Sequence, residues 1–342
     1  MTLSYQAPGL VLGRAGGGTA EQVKDLQRDL RRLGYLATGI DGDFGRLTER
    51  AVKALQYDLL HNRGEGPDGN APVRVRDYNR SRVAGISGVV DQNLAACIAD
   101  MLADERFLTV PSCANPREEN DRVSELAAQE ARPAGAPAPF LAAILKRESG
   151  LRHYREPEPD NDDSFVLVGL DRNAAEPEAV TSRGFGVGQY TLFHHPPAKA
   201  EFDEYVADAA KNLQHAALEL RDKFDRFVNG NTPGTRADDR QAEFGRGPLR
   251  VCKYAPSDPR FLTDCRRCLQ EAGTTEIRAG VTRFYEGARP VYEPTQYHPE
   301  RHYEGVPVRA RIGCDWPYAV RRYNGGGLNS YHYQTKVLLS VL

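Results

Sequence analysis

Apolar positions along the chain fall first into helical periods. Val23, Leu26, Leu30 and Leu33 recur at spacings of three and four, the stripe of an amphipathic helix, and Gly34 follows at a natural stop. Ahead of the stripe, Thr19-Ala20-Glu21-Gln22 fits a capping box, in which Thr19 and Gln22 satisfy the first free amides. A second stripe, Val52, Leu55 and Leu59, predicts another helix. Leu94, Ile98 and Met101 predict a third, with Asp91 as its N-cap. The segment Gly39-Ile40-Asp41-Gly42-Asp43-Phe44-Gly45 joins the first two helices as a turn whose glycines permit positive φ. Residues 17–104 therefore read as a three-helix unit. Its polar stretch over 60–84, with Arg74, Arg76, Arg80 and Arg82 around Tyr78, reads as a solvated loop.

Periodicity fades over residues 105–118, which carry Pro111, Asn115 and Pro116 and read as a linker to a second unit over 119–342. Val123, Leu126 and Ala127 mark a short helix ending at Pro133. After the turn Pro133–Pro139, the run Phe140–Gly150 reads as a helix. Glu148 stands four after Ile144 and three after Leu145, on the apolar face. A carboxylate leaving an apolar face is partly desolvated, which raises its pKa toward the range a general acid needs. A solvent-facing glutamate paired with Arg147 or Arg152 is the plainer alternative. Ser182-Arg183-Gly184-Phe185-Gly186-Val187-Gly188-Gln189-Tyr190 alternates glycine with larger residues; Phe185 and Tyr190 offer flat faces for sugar rings. No hydrophobic strand precedes it in the manner of a dinucleotide loop. Tyr318–Tyr323 reads as a helix, stopped by Asn324 and glycines.

Composition narrows the function classes. The 342 residues carry 45 Lys+Arg against 47 Asp+Glu, a net charge of −2, which excludes affinity built on a global cationic field, so no nucleic-acid partner is expected. No run of about 18 apolar residues forms a membrane span. The start, Met1-Thr2-Leu3-Ser4-Tyr5-Gln6-Ala7-Pro8, lacks the pattern of a secretory signal. The Asp41-Gly42-Asp43 turn fails as a calcium loop, because the sixth position is Arg46 and the twelfth Val52. Among six cysteines, Cys252, Cys265 and Cys268 cluster. Disulfides, including one from this cluster to Cys314, free thiols, and a zinc site with His298 and His302 all stay open. His194 and His195 form a further pair, yet HExxH is absent, so no catalytic metal is expected, and no cofactor.

Two resemblances emerge from these residues. Val23-x-x-Leu26-Gln27-x-x-Leu30-x-x-Leu33-Gly34-Tyr35, followed by Gly39-Ile40-Asp41-Gly42-x-Phe44-Gly45-x-x-Thr48-x-x-Ala51-Val52-x-x-Leu55-Gln56, resembles the peptidoglycan-binding domain of cell-wall hydrolases. The face near Asp41, Asp43 and Thr48 is its candidate for meeting glycan or stem peptide. In order, Glu148-Ser149-Gly150, the Ser182–Gln189 segment and Tyr323-Asn324-Gly325-Gly326 resemble the lysozyme-like catalytic domain of lytic transglycosylases. The intervals between these motifs are longer than the family's. Together the resemblances imply a mainly α fold, with a small three-helix domain ahead of a larger lysozyme-like α (α+β) domain carrying insertions.

The second resemblance implies that Glu148 cleaves the β-1,4 bond between N-acetylmuramic acid and N-acetylglucosamine, leaving 1,6-anhydro ends. Ser182, Gly186, Gln189, Tyr190, Tyr323 and Asn324 would bind substrate. A hydrolytic muramidase would add a second carboxylate, from Asp160, Asp162, Asp163 or Asp171. A wall-binding adaptor and a zinc peptidase or amidase are the rival classes. The expected partners are peptidoglycan strands and an immunity protein, the expected state a monomer. Without a signal peptide, a wall-cleaving enzyme of this kind fits a phage endolysin or an antibacterial toxin injected by contact-dependent secretion.

Overall fold

The three stripes are three helices: α1 (Ala20–Arg32), α2 (Arg46–His61) and α3 (Gln92–Ala103). The computed structural model describes residues 2–64, 73–228, 248–272, 312–325 and 328–342, with short strands at 284–286, 289–291 and 302–303. The capping box forms: the Gln22 amide donates to Thr19 Oγ1 at 3.3 Å, and the Thr19 amide to Gln22 Oε1 at 2.9 Å. Asp91 caps α3 by accepting from the Leu94 amide at 2.9 Å. The apolar stripe residues are all buried in one core, each contributing about 2 kcal/mol of burial. Within the polar stretch over 60–84, residues 65–72 lie outside the described residues. The described part holds one 3-10 turn, Val75–Tyr78, whose Tyr78 is buried and donates to Asp104 at 2.9 Å. Arg80 and Arg82 both meet Asp100.

Helices continue with α4 (Pro116–Ala131) and α5 (Ala138–Ser149). Three antiparallel strands follow in order, β1 (Val168–Arg172), β2 (Val180–Phe185) and β3 (Tyr190–Leu192). Register pairs Asp171 with Ser182 and Phe185 with Tyr190. A single turn, α6 (Lys199–Glu201), precedes α7 (Ala209–Asp222), which runs on as a π turn over Lys223–Phe227. Then come α8 (Cys265–Glu271), a small sheet of β4 (Phe284–Glu286) between β5 (Arg289–Val291) and β6 (His302–Tyr303), α9 (Trp316–Tyr323) and α10 (Leu328–Val341). The fold is mainly helical. Among the described residues, no helix is long and apolar enough to cross a membrane.

Two compact units divide the chain, and neither is one continuous stretch. The first comprises 1–122 and 152–212, the second 123–151 and 213–342. This differs from a division at a linker over 105–118. Phe107 and Val110 are buried, the Val110 amide donates to Arg32 at 2.7 Å, and α4 already begins at Pro116. Residues 152–212 join the first unit through charges. Arg31 Nη2 meets Asp163 Oδ2 at 2.6 Å with both side chains 0% exposed, and Arg155 reaches the same carboxylate at 3.1 Å. Arg183 donates to the Gly34 carbonyl at 3.0 Å, pairs with Asp58 at 3.2 Å and lies 4.9 Å from the Tyr35 ring centre. Burial pushes the Arg31 guanidinium down to about 10, which still leaves it charged at neutral pH.

In the second unit, α10 packs against α5 and α9, while the π turn packs against α9. Trp316, the first residue of α9, is buried and stacks on Phe224 at 4.1 Å between ring centres. Its indole donates to the Val251 carbonyl at 2.8 Å. Gln334 on α10 donates to the Pro317 carbonyl at 2.7 Å. These bonds fix the start of α9, and hence the direction in which its far end points.

Candidate functional site

Glu148 occupies the last turn of α5. The helix stops because Gly150 adopts the left-handed conformation, φ 69°, and because the Leu151 amide turns back to the Leu145 carbonyl at 3.2 Å. The buried residues Leu141, Ile144 and Leu145 anchor the opposite end of its apolar stripe, leaving Glu148 half-buried. Two phenols from the neighbouring helices face it. Tyr323 ends α9, and Tyr333 lies on α10. Burial pushes both phenols well above the ordinary range, and the Glu148 carboxylate pushes them further. Tyr323 also feels Glu219 on α7, which pairs with Lys223 at 2.6 Å. Asn324 caps α9 and is exposed. Gly325 has φ 81°, and Gly326 lies outside the described residues. Packing thus gathers Glu148 and Tyr323 from distant parts of the sequence. The sequence pattern singled out neither Tyr333 nor Glu219; the helical spacing over 328–341 held the signal for Tyr333.

Ser182, Gly186, Gln189 and Tyr190 belong to the other unit, on the β2–β3 hairpin. Ser182 is buried and donates to Asp171 across the strand pair at 2.7 Å. Gly186 has φ 68°, and a Cβ there would stand 2.4 Å from the His153 ring, so the turn requires glycine. Gln189, itself at φ 50°, donates to the Gly186 carbonyl at 2.8 Å, and its side chain lies over Gly169 and Gly184. Beneath the turn, Asn212 accepts from the Gly188 amide at 2.7 Å and His153 from the Val187 amide at 3.3 Å. His153 also meets the Val206 carbonyl at 3.0 Å, and burial pushes its pKa down to about 4. Tyr190 stacks on Tyr205 at 4.0 Å.

The four aspartates considered as a second carboxylate are also in the first unit, whereas Glu148 is in the second. Asp160 is exposed in the turn closed by Glu158 and Asn161, Asp162 pairs with Arg28, Asp163 with Arg31 and Arg155, and Asp171 accepts from Ser182. In the three-helix region, buried Gln27 organises the glycine-rich turn. Its amide donates to Asp41 at 2.8 Å, the Asp43 carbonyl at 3.0 Å and Thr48 at 3.0 Å, and its oxygen accepts from Gly42 at 2.8 Å. Thr48 is buried, which removes it from the wall-facing set. Asp41 and Asp43 are exposed.

His194 pairs with Glu201 at 2.6 Å, and His195 is buried against Tyr35 and Phe107. His298 lies outside the described residues. Among the described residues, no group of three His, Cys, Asp or Glu side chains is placed to hold a metal ion.

Residues 19–59 match the family model described as a putative peptidoglycan binding domain. The match covers α1, the Gly39–Gly45 turn and most of α2, the region that Gln27 ties together. No curated protein and no solved structure matches the chain.

Proposed function

We propose that the chain, which carries a peptidoglycan-binding domain over 19–59, cleaves the glycan strand to which that domain attaches it. The observation that carries this reading is the meeting of half-buried Glu148 with Tyr323 and Tyr333 at the junction of α5, α9 and α10. Partly withdrawn from water and flanked by two phenols, this carboxyl is placed where it can hand a proton to a substrate oxygen. Glu148 donates that proton to the oxygen linking N-acetylmuramic acid to N-acetylglucosamine. It then takes the proton of the muramic C6 hydroxyl as that oxygen closes onto C1, so the product carries a 1,6-anhydro ring. Tyr323 and Tyr333 hold the carboxyl in place. Substrate is the polymer of the wall, and the protein acts there rather than where it is made.

Hydrolysis by water is the second reading, and Glu219 favours it. Glu219 shares Tyr323 with Glu148 within one unit, which none of the four aspartates does. A general base for water needs a carboxylate about 6.5–9.5 Å from the acid. Mass spectra of muropeptides released from purified sacculi separate the two: anhydro ends support the transglycosylase, reducing ends the muramidase. Binding to sacculi without release of muropeptides would show a wall-binding adaptor instead.

A further inference from the structure

Four of the six cysteines converge in the second unit. Cys265 and Cys268 sit one helical turn apart on α8, Cys314 just before α9, and Cys252 in the segment that runs beside it. The Asp315 amide donates to the Arg250 carbonyl at 2.9 Å, and the Arg250 amide to the Asp315 carboxylate at 2.8 Å. This pairing brings residue 252 alongside 313–314, so all four cysteines line one small pocket with Phe140 and Trp316. Cys97 and Cys113 lie in the other unit and take no part.

We propose that these four thiols form two disulfides, Cys265 with Cys314 and Cys252 with Cys268, which brace the helices carrying the cleavage site. Depth sorts the pairs: Cys265 and Cys314 are buried, while Cys252 and Cys268 are half-exposed. Burial pushes the Cys314 thiol up to about 12 and the Cys265 thiol higher still, and the neighbouring sulfurs push both further. Neutral sulfur suits that surrounding, and a disulfide is neutral where a tetrathiolate is not. Each pair loses two hydrogens and two electrons to an oxidised small disulfide, such as glutathione disulfide, which leaves as two thiols.

The placement gives the bonds a consequence. Cys314 precedes the first residue of α9, whose last residue is Tyr323. The helix α8 packs on α5, whose last turn holds Glu148. Closing both pairs ties α8 to the segments that start α9, so the junction tightens in an oxidising wall compartment and loosens in a reducing cytoplasm. This regulatory step rests on the proposed cleavage function; the pairing itself does not.

The test uses the full chain equilibrated in a glutathione redox buffer, then denatured and alkylated. Two adducts, on Cys97 and Cys113, with linked peptides joining 265 to 314 and 252 to 268, are expected; prior full reduction should give six adducts. Six adducts without reduction, a different connectivity, or one zinc ion per chain on metal analysis would overturn the proposal. Reduction should also lower the thermal midpoint by about 5 °C or more and slow muropeptide release several-fold. The doubly substituted chain C265S/C314S should lose most of that sensitivity. Unchanged midpoint and release on reduction would overturn the brace. If the linked peptides form but no chain, oxidised or reduced, releases muropeptides, the cleavage reading fails and the pairing stands.

Discussion

Acidic side chains keep different company at Asp163 in the first unit and Glu148 in the second, although the second unit also holds a cation-bound acid, Asp315 with Arg250. In the first, Asp163 is sealed between the guanidinium groups of Arg31 and Arg155. In the second, half-buried Glu148 faces two phenols. A buried carboxylate beside a fixed cation is held ionised and fastens parts of the chain together. The Glu148 carboxyl faces the hydroxyls of two phenols instead. The same residue class therefore ties the chain together at Asp163, while at Glu148 it is the proposed proton donor.

Breaking the cation-bound acid should give the largest effect on stability. Asp163→Ala leaves Arg31 charged and buried, and the first unit should lose about 3–5 kcal/mol in denaturant unfolding. A loss below about 1 kcal/mol would mean the pair does not hold residues 152–212 in place. Next comes pH. His153 holds its proton less tightly when folded, at about 4 against an ordinary 6.5, so the unfolded chain binds more protons. Stability is therefore fully present above about 6.5 and falls as pH drops toward 4, by about 3 kcal/mol. Buried His195, also shifted down by burial, works in the same direction. Thermal midpoints across that window check it, and a flat profile would contradict the burial of these rings.

Smaller effects sharpen the contrast. Gln27→Ala removes the hub of the Gly39–Gly45 turn and should cost about 1–3 kcal/mol, with weaker co-sedimentation with sacculi. Undiminished stability would show that Asp41 and Thr48 hold the turn alone. Tyr323→Phe should slow muropeptide release about tenfold, equivalent to about 1.4 kcal/mol, while leaving the unfolding curve within about 0.5 kcal/mol. A destabilised variant of unchanged activity would assign Tyr323 to the core instead.

Local features of this arrangement were legible in the sequence, and long-range ones were not. The capping box at Thr19, the cap at Asp91 and the stop at Gly150 are written within a few residues of the bonds they make. The half-buried placement of Glu148 was legible for the same reason, as helical spacing puts it beside Ile144 and Leu145. Asp163 could not be read: its cation lies on α1, and nothing periodic links Arg31 to a segment that looks like an insertion. Thr48 misled because turn polarity resembles an exposed face until Gln27 is seen to fill it. Cys314 stood apart from its cluster because backbone pairing with Arg250, not sequence proximity, brings it there.

The central claim is that Glu148 moves the proton that breaks the glycan. Wild-type and Glu148→Gln chains incubated with purified sacculi should bind them equally, because residues 19–59 are unchanged. Soluble muropeptides should appear only with the wild type, with release by the variant lower by about 10²–10⁴-fold. Equal release by both, at equal binding, would contradict the account.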